Sequence, residues 1–187
     1  MCAVARHLDI AMADLQTSHT ADLDPGTLHA ARALLDAGFA DLADSDWEHS
    51  LGGIHALVWD GADLIGHASV VQRRLLHGGR AWRTGYVEGV VVRDDHRGHG
   101  HGAALMAELE RVIRSAYDLG ALSATQEAVG FYAALGWTRW HGPTSALTPS
   151  GIRRTEDDDG AVYVLPVSVP VDHSAEITCD WRDGDLW

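Results

Sequence analysis

From Pro25 onward, apolar residues recur at Leu28, Ala31, Leu34, Leu35 and Phe39 with the three-and-four spacing of an amphipathic helix. Asp24 stands where an N-cap belongs and proline takes the first helical position, so the pattern predicts a helix over 25–38. The next stretch, DLADSDWEHS over 41–50, breaks that period and reads as a loop or short helix. Three β-rich runs follow, divided by Asp60-Gly61 and Gly78-Gly79, both hairpin dipeptides, which predicts an antiparallel meander over 54–59, 63–75 and 81–92. Helical spacing then returns: Leu105, Leu109, Val112, Ala116 and Leu119 line one face and predict a long helix over 103–118. A short apolar strand at 121–123 leads to a second helix over 126–135, closed by Gly136. Strands near 137–148 and 161–168 complete the sheet, with the polar, turn-rich segment PSGIRRTEDDDG between them. One candidate strand around Val4, Arg6 and Leu8 precedes all of this, and the last fifteen residues show no period. The expected fold class is α/β: a mixed, mostly antiparallel sheet flanked by helices, in one domain over 1–187.

Charge narrows the range of partners. With 27 acidic residues against 14 basic ones the formal balance is −13. There is no Lys/Arg cluster of the kind that displaces counterions from phosphates, which argues against nucleic acid and for attraction of a cationic small molecule. Solubility alone also explains acidity, so charge by itself decides nothing. No run approaches the roughly 18 consecutive apolar residues that a membrane helix needs, and the first residues lack a basic stretch followed by an apolar one, so a cytoplasmic protein is expected. Cys2 and Cys179 form no CxxC pair and no visible disulfide framework, which suits a reducing compartment.

The chemistry concentrates where the meander ends and the long helix begins. There the chain reads Arg97-Gly98-His99-Gly100-His101-Gly102, and three glycines let backbone N–H groups and the positive end of a helix dipole approach a pyrophosphate. A Walker loop would need a lysine and a hydroxyl that are missing here. A dinucleotide fold would need a parallel βαβ unit rather than a meander. His96, His99 and His101 also invite a metal reading; no thiolate or carboxylate stands beside them at ligand spacing, and no metal is assigned.

Arg97-x-x-Gly100-x-Gly102 after a valine-rich strand resembles the acyl-CoA motif of the GCN5-related N-acetyltransferases (GNAT), and Phe131-Tyr132-Ala133-Ala134-Leu135-Gly136-Trp137 occupies the position of a second motif of that family. The resemblance implies that Arg97, Gly98, His99, Gly100, His101 and Gly102 hold the pyrophosphate of acetyl-CoA as acetyl donor. It further implies that backbone at Val90, Val91 and Val92 pairs with the pantetheine arm and that a splayed central strand pair receives the acetyl group. Segments 46–53, 86–90, 140–145, 157–160 and 179–187 resemble, more narrowly, the mycobacterial aminoglycoside 2'-N-acetyltransferases, with Ser50 where threonine is usual. That likeness implies direct acetyl transfer to the 2'-amine of an aminoglycoside, as in antibiotic resistance, by a homodimer. Another amine acceptor (a protein N-terminus, a lysine or a cell-envelope amino sugar) and a noncatalytic acyl-CoA sensor are the alternatives.

Direct transfer needs a base for the amine and a proton for the leaving thiolate. Glu88 alternates onto the face of Tyr86 and Val90 in an apolar strand; the resemblance makes it the base, acting through water, while on its residues alone it is equally a strand carboxylate paired with an arginine. Tyr132 carries a phenol suited to a general acid, and an aromatic pair on a helix is also ordinary core packing. For the cationic acceptor the resemblance implicates Asp41, Asp46, Glu88, Gly89, Ser123, Asp158, Asp185 and Trp187, the aspartates being equally readable as solvated loop charges. Cys179 has no activating base in sequence, so an acetyl-cysteine route is set aside.

Overall fold

The computed structural model describes residues 13–187, and the expected strand around Val4, Arg6 and Leu8 lies outside them. The described residues begin with β1 (Asp14–His19), α1 (Pro25–Gly38) and α2 (Asp44–His49), then run through the meander β2 (Ile54–Asp60), β3 (Asp63–His77) and β4 (Arg80–Val92). After α3 (His101–Ala116) come β5 (Leu119–Ser123), α4 (Val129–Ala134), β6 (Thr138–Arg139), β7 (Thr144–Thr148), β8 (Gly151–Arg154), β9 (Val162–Pro166) and β10 (Ile177–Cys179). The strands join in one sheet of order β6-β9-β5-β4-β3-β10-β7-β8, and β1 and β2 continue it from the other half of the long strand β3. All pairings are antiparallel except β4 with β5 and β10 with β7.

Local chemistry accounts for the helices. Asp24 Oδ1 accepts from Gly26 N at 2.8 Å and Thr27 N at 3.0 Å, satisfying two of the free donors at the start of α1. α3 buries Leu105, Met106, Leu109 and Ile113 against Val70 and Val87 of the sheet, each worth about 1.5–3 kcal/mol by area. On the opposite face, Ala31, Leu34 and Leu35 of α1 pack on Leu57, Leu64 and Val91. A third cluster, around Tyr86, Trp140, Ala146, Ile177 and Trp187, seats the C-terminal segment.

Five expectations differ from the structure. The helix expected over 126–135 is a single 3-10 turn, Gln126–Ala128, followed by α4. The strand expected over 137–148 is two strands, because Gly142 and Pro143 interrupt it: Pro143 has no N–H to donate, and a Cβ on Gly142 would sit 2.0 Å from the Ala175 carbonyl oxygen. The segment read as turn-rich contains β8, and the unpatterned tail contains β10. The fifth lies in β4, which sets the site.

Candidate active site

β4 and β5 pair only from Thr84 and Leu119 to Tyr86 and Ala121. Beyond that point β4 runs on to Val92 and β5 to Ser123 with no ladder between them, leaving strand N–H and C=O groups free for another partner. A cleft of about 1200 Å³ occupies the gap. Val90, Val91 and Val92 line it, as do Glu88, Gly89, Ser123 and Tyr132.

At the turn before α3, Arg97, Gly98, Gly100, His101 and Gly102 also line the cleft. Gly98 and Gly100 have φ of 78° and 86°, left-handed backbone that a side chain would strain, and added Cβ atoms there would meet nothing within 4 Å. The glycines are therefore required by conformation, and the open space before the amides at the start of a 16-residue helix suits an anion. Arg97 is tied by its Nε to the Val92 carbonyl at 3.1 Å and by a guanidinium nitrogen to Asp94 at 2.8 Å. His96 lines the cleft between Asp95 at 2.7 Å and Asp60 at 3.3 Å, and hydrogen bonds to those carboxylates raise its pKa. His99 does not line the cleft; its Nδ1 lies 3.3 Å from the His96 carbonyl oxygen.

Strand alternation fails within β4. His67 faces Val91 and Ser69 faces Glu88, so Gly89 and Val90 together oppose the single residue Ala68: a β-bulge, with Gly89 at φ 58°. The extra residue reverses the faces beyond it. Val87 and Val90 both pack with the α3 cluster, and Val91 packs with α1. Val90 thus lies opposite to the side expected from alternation with Tyr86 and Glu88. A Cβ on Gly89 would come 3.0 Å from Ser50 Oγ and 3.2 Å from Leu35 Cδ2, so both conformation and space call for glycine.

Glu88 Oε1 accepts a hydrogen bond from Arg182, and both side chains are largely buried. This is the arginine pairing that the isolated sequence left open. Arg182 was not anticipated. Its partner lies 94 residues away, and no periodic signal marks the tail that carries it. Side chains pin that tail: Arg73 Nε donates to Asp180 at 2.8 Å, Arg182 Nε donates to the Asp185 carbonyl at 2.6 Å, and Trp187 Nε1 donates to Thr155 Oγ1 at 2.9 Å. The 140–145 and 157–160 segments are tied to each other, Thr144 N and Oγ1 both donating to Asp159 Oδ1 at 2.9 Å, and Thr144 to Ala146 pair with β10 of the tail. Arg73 and Arg182 lie over the Tyr86 ring at 4.6 and 5.5 Å.

Tyr132 is 6% exposed, within an aromatic group of Phe131, Trp137 and Tyr163, and burial pushes its pKa up to about 12. Asp46, Asp185 and Trp187 line the cleft with it. Asp41 and Asp158 do not, although Asp158 is near enough to Asp185 to matter: burial first, then the Asp185 charge, raises the Asp158 pKa.

Residues 18–137 match the acetyltransferase (GNAT) family. An aminoglycoside 2'-N-acetyltransferase of Mycolicibacterium fortuitum is 53% identical over 174 residues, covering 90% of this chain and 89% of that one. Among solved structures, the GNAT protein YhbS of Escherichia coli in complex with CoA has a TM-score of 0.62 at 15% identity, over 89% of this chain and 88% of that one. A GCN5-related N-acetyltransferase of Kribbella flavida has a TM-score of 0.57 at 23% identity, over 70% of this chain; this chain spans 34% of that longer one. Two folds as distant in sequence as these support the architecture alone. The family match across the splayed strands and the glycine turn, together with the relative along nine-tenths of the chain, has one consequence: this chain belongs to the GNAT family of acetyltransferases.

Proposed function

We propose that the protein moves the acetyl group of acetyl-CoA onto the 2'-amine of an aminoglycoside by direct attack. The observation that carries this reading is a single cleft that joins the glycine turn, Glu88, Tyr132 and the acidic residues Asp46 and Asp185, in a chain 53% identical to an enzyme of that name. The residues present fit the donor: the amides after Gly98 and Gly100 lie open for a pyrophosphate, and the unpaired backbone of Val90 to Val92 suits an amide-bearing arm. When bound, acetyl-CoA supplies a thioester carbonyl to an amine nucleophile.

In this reading Glu88 takes the amine's proton through water, with Oε1 engaged by Arg182 and Oε2 left to receive it. Tyr132 gives its hydroxyl proton to the departing sulfur. Asp46 and Asp185 receive ammonium groups of the acceptor, and an ammonium beside Asp185 also relieves its repulsion with Asp158. Ser123, Gly89 and the Trp187 ring complete the acceptor end. A covalent route through Cys179 is disfavoured because the thiol is buried and pushed up to about 11, chiefly by burial. A single catalytic domain, a homodimer and a cytoplasmic location belong to the same reading; among the described residues no helix is long and apolar enough to cross a membrane.

Release of CoA thiol from acetyl-CoA by untagged protein tests it, comparing tobramycin, which has a 2'-amine, with kanamycin A, which has a 2'-hydroxyl. Release with tobramycin and almost none with kanamycin A is expected. Equal release with both overturns the regiochemistry, and none with either moves the assignment to another amine or to a sensor. Within the same assay, Asp185→Asn should raise KM for tobramycin about tenfold with kcat nearly unchanged, the loss of one charge-assisted hydrogen bond to a bound cation.

A further inference from the structure

Two histidines that the acetyl-transfer scheme does not use lie entirely buried beneath the Gly89 bulge. His55 on β2 and His67 on β3 are 0% exposed, with rings 5.2 Å apart, and Trp47 of α2 packs on both at 6.5 and 6.2 Å. Their hydrogen bonds form one chain. His67 Nδ1 is 2.9 Å from the Gly89 carbonyl oxygen, His67 Nε2 is 2.9 Å from His55 Nδ1, and His55 Nε2 is 2.8 Å from Thr20 Oγ1, which itself accepts from Gly52 N at 2.9 Å.

The far end settles where every hydrogen sits. A carbonyl oxygen only accepts, so His67 Nδ1 carries the hydrogen and, in a neutral ring, Nε2 is a bare acceptor. His55 must then donate from Nδ1, which leaves its Nε2 to accept from the Thr20 hydroxyl. The Thr20 hydroxyl also lies 3.2 Å from the Gly53 carbonyl oxygen, and its one hydrogen goes to His55 Nε2, the shorter contact, so the chain runs in one direction from the turn at Gly52 to the strand at Gly89. An added proton on His67 would set its Nε2–H against the Nδ1–H of His55, while one on His55 would face the Thr20 hydroxyl and turn its hydrogen to the Gly53 carbonyl 3.2 Å away. Burial is the main cause that depresses both groups, His67 to about 3 and His55 to about 4, so the neutral arrangement holds throughout the working range.

We propose that His67, backed by His55, is a positioning residue for acetyl transfer: its Nδ1–H anchors the Gly89 carbonyl and thereby holds the bulge that aims Glu88 into the cleft. A bulge is an extra residue with neighbouring registers available to it, and in β4 a slip of one residue exchanges the two faces. The backbone ladder does not choose among those registers at Ala68, where two residues meet one. The positive φ of Gly89 favours one of them, and the imidazole, whose donor reaches one carbonyl only, holds it there. The same pair supports Trp47, and so joins the helix that carries Asp46 to the strand that carries Glu88. This inference rests on the reading of Glu88 as the base.

The test compares two amides at position 67 in the full-length protein. Asparagine places its N–H₂ where Nδ1 stands and retains the donor to Gly89; glutamine places it where Nε2 stands and cannot reach. His67→Asn should keep kcat for tobramycin within about fivefold of the unaltered protein, and His67→Gln should lose about ten- to a hundredfold, with CoA affinity by calorimetry within about threefold in both, since the pyrophosphate turn is untouched. Equal kcat for the two variants overturns the proposal. Nitrogen-15 spectra of the histidine rings in the unaltered protein give a second readout that is independent of turnover and of variant folding: His55 and His67 should both be Nδ1–H tautomers that do not titrate from pH 5 to 8, and an Nε2–H tautomer at His67 overturns the anchor. If the unaltered protein acetylates no aminoglycoside, the function fails while the ring spectra still decide the hydrogen-bond chain.

Discussion

Glu88→Gln lowers kcat for tobramycin by about 10²–10⁴, the usual contribution of a positioned general base, while KM for acetyl-CoA stays within about threefold. The size of the loss separates the ion pair that Glu88 makes from the base role proposed for the same carboxylate. Glu88 is the partner of Arg182 and also lines the cleft in which, on the proposed mechanism, the acceptor amine loses a proton. A pair this well buried costs stability when one member is removed, about 3–5 kcal/mol at the upper end, because the other charge is left without a counterion. Glutamine keeps the shape and an acceptor oxygen for Arg182, so the protein should still fold, with a lower melting temperature. Arg182→Met supplies the contrast: it breaks the same pair and loosens the tail, and leaves Glu88 able to take a proton. If pairing alone mattered, the two variants would lose activity equally. As a base, Glu88 must cost at least tenfold more than Arg182, measured as kcat by thiol release at saturating substrates.

That pairing joins residues 94 positions apart, beyond what local sequence patterns encode. Elements announced by local chemistry were legible: the Asp24 cap and Pro25 of α1, the Asp60-Gly61 and Gly78-Gly79 hairpins, the apolar stripe of α3, and the glycine turn. β1 was missed because its DLQTSH run is mostly exposed and polar, an edge strand held by its pairing with β2 rather than by apolar alternation. The bulge was invisible for another reason. Val-Glu-Gly-Val-Val-Val is apolar on both faces, since α3 covers one and α1 the other, so an inserted residue leaves no mark in the pattern and only the glycine hints at it. The tail lacks any period because side-chain ties to Arg73, Glu88 and Thr155 hold it, and such ties are set by residues about a hundred or fewer positions away that local patterns cannot see. Of the acidic residues carried over by resemblance, Asp46 and Asp185 reach the cleft and Asp41 does not, a distinction of tertiary placement that composition could not draw.

Tyr132→Phe should lower kcat about a hundredfold and leave stability within about 1 kcal/mol, as read by thiol release and by urea unfolding. The argument turns on what phenylalanine keeps. Tyr132 packs edge-on to Phe131 at 5.1 Å and to Trp137 at 6.5 Å, and tilts against Tyr163 at 6.3 Å; those ring contacts survive the loss of one oxygen. Tyr132→Ala would instead empty the group and cost about 3–5 kcal/mol, confounding packing with chemistry. Burial raises the phenol to about 12, which fixes the sign of the pH dependence: the protonated form is favoured, so the acid stays loaded as pH rises through the range where an exposed tyrosine begins to ionise. No falling limb in kcat assignable to Tyr132 should therefore appear below about pH 11, provided the fold persists. The same shift makes the hydroxyl a weaker acid in the resting cleft, so its value lies in proximity to a sulfur that acquires negative charge only as the thioester breaks. If Tyr132 were core packing alone, Tyr132→Phe would turn over at the unaltered rate, and that result would leave the leaving group to take its proton from solvent.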